Sequence, residues 1–72
     1  MTRNERYLSD LHLLVLNAIR ESPKDATEIR EYLREHGFNV DRVDKYTRKL
    51  HARGLIIRKT SNHKYSNIWE AL

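Results

Sequence analysis

The chain contains no cysteine, which excludes a disulfide framework and any thiolate metal site. Glycine occurs twice and proline once, too sparsely for a phosphate-cradling glycine loop. Long apolar runs are missing as well. The longest, residues 13–16, falls far short of a membrane span, and no charged n-region followed by an apolar h-region marks a signal peptide. His12, His36, His51 and His63 are scattered at spacings that fit no common zinc pattern. Nothing orders the serines, histidines and aspartates into a triad, and so short a chain leaves little room for a substrate cleft. These absences predict a soluble, cytoplasmic protein that is not an enzyme, holds no metal or cofactor, and takes no small-molecule ligand.

What remains is a chain of 72 residues, 39% hydrophobic and 33% charged, in which apolar residues recur at regular spacing. That pattern predicts a single domain over residues 1–72, near the lower limit at which a core stabilises itself. The formal net charge is +4, and it is unevenly placed. Between residues 42 and 64 stand Arg42, Lys45, Arg48, Lys49, Arg53, Arg58, Lys59 and Lys64 against one acid, Asp44, whereas residues 1–41 hold more acids than bases. Positive charge concentrated in this way makes a focused field suited to a polyanion. The plain alternative is a solvated basic face with no partner.

Periodicity predicts three helices and a hairpin. Tyr7, Leu11, Leu14, Val15, Ala18 and Ile19 share one helical face, with Leu8 at its margin. That helix starts either after Ser9 as N-cap or further back, toward Asn4, and Pro23 closes it. Asp25-Ala26-Thr27-Glu28 is an approximate capping box for a second helix, with Ala26, Ile29 and Leu33 facing inward. Gly37 stops it, and Phe38 can fold back on Leu33. Asn39 suits the N-cap of a third helix over about residues 40–53, whose buried stripe is Val40, Val43, Tyr46 or Thr47, and Leu50. Gly54 repeats the stop, with Leu55 against Leu50. Then the period changes. Leu55-Ile56-Ile57 and residues 65–69 form two strands around a polar turn, packed on the helices through Ile57, Ile68 and Trp69. Residues 24–26 are a further candidate strand.

Helix, helix-turn-helix and hairpin in this order resemble the winged-helix DNA-binding superfamily. The likeness is closest over Val43-Asp44-Lys45-Tyr46-Thr47-Arg48-Lys49-Leu50-His51-Ala52-Arg53-Gly54-Leu55-Ile56. In many bacterial and archaeal regulators the recognition helix ends this way, with Gly-Leu-Ile opening the wing. Asp25 to Leu33, with Glu28 and Ile29, is similar to their second helix. Thr47 departs from the pattern, since such helices usually bury a leucine there; Tyr46 is the alternative packing residue. The resemblance implies an α+β fold, a three-helix helix-turn-helix core followed by a two-stranded β-hairpin wing. It also implies sequence-specific binding of double-stranded DNA by a small prokaryotic or viral transcriptional regulator, nucleoid-associated in the cytoplasm. The whole length would then be the DNA-binding unit, and repression by occluding polymerase is the simplest mechanism.

The major groove admits one α-helix, whose residues opposite the buried stripe reach the base edges. Arg42 and Lys45, nearest the N-terminal end of the third helix, are therefore candidates for guanine contact, and Arg48 and Lys49 for phosphates. Asp41 and Asp44 either accept from cytosine, salt-bridge a neighbouring arginine, or serve only the helix dipole. In the wing, residues 58–64, the candidates are Arg58, Lys59, His63 and Lys64, placed along phosphates or in the minor groove. Arg3 and Arg6 can add a basic arm. The rival function is a winged-helix protein-interaction module in a transcription or replication complex. Leu13 and Leu16 lie away from the core stripe of the first helix and suggest a homodimer surface, unless residues 69–72 cover them from behind.

Overall fold

The computed structural model describes residues 8–60 and 67–72. In chain order it contains α1 (Asp10–Glu21), α2 (Ala26–Glu35), α3 (Asp44–Ala52), β1 (Ile56–Thr60) and β2 (Asn67–Ala71). The architecture is small α+β, three helices and a two-stranded antiparallel hairpin. The expected arm residues Arg3 and Arg6 and the tip residues His63 and Lys64 lie outside the described residues.

Helix boundaries follow local chemistry at most ends. Ser9 is the N-cap of α1, its hydroxyl oxygen accepting from the His12 amide, which decides between the two starts open in the sequence. Asp25 caps α2 with a complete capping box: its carboxylate accepts from the Glu28 amide at 2.8 Å, and the Glu28 carboxylate accepts from the Asp25 amide at 3.1 Å. Both glycines close Schellman motifs. The Phe38 amide donates to the Leu33 carbonyl and the Gly37 amide to that of Arg34; Leu55 and Gly54 repeat this on Leu50 and His51.

The core joins Leu8, Val15, Leu16 and Ile19 of the α1 region to Ile29 and Leu33 of α2, Val43 and Leu50 at α3, and Ile56 of β1. Helix α1 lies at its centre, in contact with α2, α3 and β2. It is therefore rotated from the expected stripe. Leu16 is completely buried and Leu13 half-buried, so the pair is not an exposed surface for a homodimer. Leu11 and Leu14, expected inside, are also only half-buried, and His12 takes an inward position. The contact between α1 and β2 favours the alternative in which the C-terminal segment covers this helix.

Four further expectations are corrected. Helix α3 begins at Asp44 rather than at Val40, and Asn39 is not its cap. The residue before it, Val43, is already helical and caps with no side-chain hydrogen bond. Ala26 is exposed rather than inward. In the hairpin the register pairs Ile56 with Ala71, Arg58 with Trp69 and Lys59 with Ile68. Alternation along the strands therefore puts Ile56, Arg58, Trp69 and Ala71 on the helix-facing side. Ile57 and Ile68 share the opposite side, against the expectation that they anchor the hairpin. The candidate third strand is reduced to one bridge, in which Lys24 and Trp69 exchange both backbone hydrogen bonds, at 3.0 and 2.8 Å.

Candidate nucleic-acid interface

Helix α3 is amphipathic in the sense a groove-binding helix needs. Val43, Thr47 and Leu50 are sealed into the core and Tyr46 is half-buried, so Lys45, Arg48 and Lys49 point outward. Thr47, not Tyr46, fills the central position. Its hydroxyl donates to the Asp44 carbonyl at 3.2 Å, so the buried oxygen is satisfied without a partner on another element.

Arg42 stands just ahead of the helix, in the turn. The Arg30 guanidinium braces that turn by donating to the Asp41 carbonyl at 3.1 Å. Asp44, in the first helical turn, lies 3.9 Å from the Arg42 guanidinium and 3.6 Å from that of Arg48. It thus combines two of its three candidate roles, complementing the helix dipole and bridging two arginines. All three side chains are well exposed, so these pairs contribute little stability.

The flank of α3 beside the hairpin forms a groove of about 240 Å³ lined by Asp44, Thr47, Arg48, His51, Arg58 and Trp69. Arg58 reaches it because its strand position faces the helices, opposite Trp69. The His51 ring sits 5.5 Å from the Trp69 ring, so a titratable donor enters the groove that was set aside in the sequence. Its spacing from Arg48, three residues on, was the available signal. Lys59 diverges. One residue further along the strand it faces away, and its ammonium lies 2.7 Å from the Glu70 carboxylate.

The other flank faces α1. The His12 ring meets the Tyr46 ring edge-on at 4.8 Å and shares a hydrogen bond between Nδ1 and the Ser9 hydroxyl. Burial lowers the His12 pKa below its ordinary value, and the Lys49, Arg53 and Lys45 cations push it the same way. Neutral imidazole here lets the three cations stand close to α1 without adding a fourth charge.

Arg48 and Arg58 thus share the hairpin flank of α3, Arg42 joins Arg48 through Asp44, and Lys45 and Lys49 are exposed on the flank toward α1, while Lys59 faces away. Among the described residues no cluster of histidines and carboxylates could hold a metal ion, and no helix is long and apolar enough to cross a membrane. Compared with models of known protein families, with curated proteins and with solved structures, the chain matches none.

Proposed function

We propose that the chain is a winged-helix protein that binds double-stranded DNA in a sequence-specific way, as a small transcriptional regulator. Helix α3 enters the major groove and the hairpin lies beside it against the backbone. The supporting observation is the row of exposed cations Arg42, Lys45, Arg48 and Lys49 opposite the buried stripe of α3, extended by Arg58 from a separate element. Arg42 and Lys45 are nearest the base edges and Arg48, Lys49 and Arg58 meet phosphates. His63 and Lys64 complete the wing in this proposal, from outside the described residues.

Binding to random duplex DNA across a salt series tests the proposal. With about five to eight phosphate contacts, the log–log slope of affinity against salt is expected near −0.9 per contact. Affinity weaker than millimolar at low salt would remove DNA binding as the function. Selection from a random duplex library then reports specificity. An enriched motif that is lost when Arg42 and Lys45 are both changed to alanine supports base contact, at about 1–3 kcal/mol per good pair.

A further inference from the structure

The corner between α2 and α3, away from the hairpin groove, holds a recess of about 300 Å³ lined by Arg30, Arg34, Phe38, Asn39, Val40 and Asp41. We propose that this recess docks a segment of a partner protein that presents an apolar side chain flanked by carboxylates. The site is independent of the DNA proposal.

Three observations define the apolar part of that surface. Phe38 is 42% exposed, and only it and Leu72 are exposed large apolar side chains among the described residues. Its backbone is nevertheless anchored, because its amide is held by the Leu33 carbonyl at 2.8 Å in the helix stop. Val40 packs on the core and supplies an apolar floor beside it. The backbone and floor of the recess are therefore preformed, which lowers the cost of ordering it around a ligand.

Charge then selects the ligand. Arg30 and Arg34 are one helical turn apart on the flank of α2 that borders the recess, while Glu28 and Glu35 fall on its other flank by helical spacing and Glu31 lies between. Arg34 forms no salt bridge among the described residues, leaving its planar guanidinium to meet a carboxylate in a two-pronged pair. Arg30 is tied to the Asp41 carbonyl, so it adds charge at a fixed place. The Asp41 carboxylate stands on the same rim and repels an acid placed too near the turn. This orients an acidic segment toward Arg34. A DNA backbone would use the two guanidiniums but gains nothing from Phe38 and Val40, so a peptide is favoured over a second nucleic-acid contact.

The test is panning of a random dodecapeptide phage library on the full chain, followed by titration of the enriched peptide made synthetically. Enriched sequences are expected to place aspartate or glutamate around a leucine or an aromatic residue. Affinity for that peptide should fall about tenfold in Arg34→Gln and again in Phe38→Ala, the scale of one lost hot-spot contact. Both positions are exposed, so circular dichroism of the variants should stay native. Duplex DNA affinity should change by less than about twofold, well short of the loss of one phosphate contact. Enriched peptides without carboxylates, or peptides held equally by both variants, would overturn the proposal. So would a library that yields nothing while Arg34→Gln weakens DNA binding about tenfold, which would assign the recess to the nucleic-acid backbone.

Discussion

Asp44 is a carboxylate set among cations that a phosphate would also claim. It sits 3.9 and 3.6 Å from the guanidiniums of Arg42 and Arg48, so an approaching backbone must compete with it. Replacing it with asparagine keeps the side-chain volume and removes the competitor. Asp44→Asn is expected to tighten duplex binding by about three- to tenfold at low salt, with the gain shrinking as salt screens the site. It should also cost roughly 0.3–1 kcal/mol of helix stability, because a negative charge leaves the positive end of α3. Fluorescence anisotropy on a labelled duplex and urea unfolding read the two effects separately, and an unchanged affinity would show that Asp44 does not compete. His12 carries a second residue-scale consequence. Its folded pKa is depressed by burial first and by Lys49, Arg53 and Lys45 next, so the unfolded chain binds more protons at mildly acid pH. Stability from this group is thus fully present above the ordinary histidine value and declines as pH falls through it toward the lower folded value. His12→Gln should flatten the dependence of the urea midpoint on pH between about 7.5 and 5. An undiminished slope would place the titration elsewhere.

At the scale of elements, the ends that depend on a few neighbouring residues were legible in the sequence. The Asp25–Glu28 capping box and the two glycine stops needed no knowledge of tertiary structure, and all three are present. Gly54 has φ +74° and Gly37 φ +87°, yet a Cβ added at either would meet nothing within 4 Å. The penalty for a side chain there is one of backbone conformation alone. Gly54→Ala should therefore cost about 1–2 kcal/mol, whereas D-alanine at the same position, introduced by chemical synthesis, should keep or raise stability. Equal losses from both would mean that contact rather than φ sets the cost. The start of α3 was not legible, and the reason lies on another helix. A helix from residue 40 would send the Lys45 amide to the Asp41 carbonyl, whereas the Arg30 guanidinium of α2 donates to that carbonyl and braces a turn over residues 41–43. The Lys45 amide turns instead to Arg42, at 3.4 Å, and the helix begins at Asp44. Likewise Ile56 and Ile57 are adjacent and equally apolar, so composition cannot say which faces the core. That choice follows from pairing: the Lys24–Trp69 bridge and the Leu72 amide bonded to the Leu55 carbonyl lock the strands, and a slip of one residue would exchange the two faces.

Over the whole molecule, the same register divides a charge block that looks continuous in the sequence. Arg58 is turned toward α3 and shares a groove with Arg48, while Lys59 faces the other way and pairs with Glu70 at 2.7 Å. The rotation of α1 is a whole-molecule effect too: Leu16 is sealed because α2, α3 and β2 all converge on that helix, which no single stretch of sequence announces. The divided charge block yields the prediction that most directly joins fold to proposed function. If helix and hairpin present one surface to DNA, Arg58→Ala removes a phosphate contact and should make the salt slope shallower by about 0.9, as should Arg48→Ala. The double variant should lose about twice that, since each arginine meets its own phosphate. Lys59→Ala should leave the slope nearly unchanged, because its ammonium faces away from the groove and is already paired. Affinity measured over a salt series for the four proteins separates the outcomes. A loss at Lys59 as large as at Arg58 would mean that DNA contacts the far side of the hairpin, and the helix and strand would then not form one binding face.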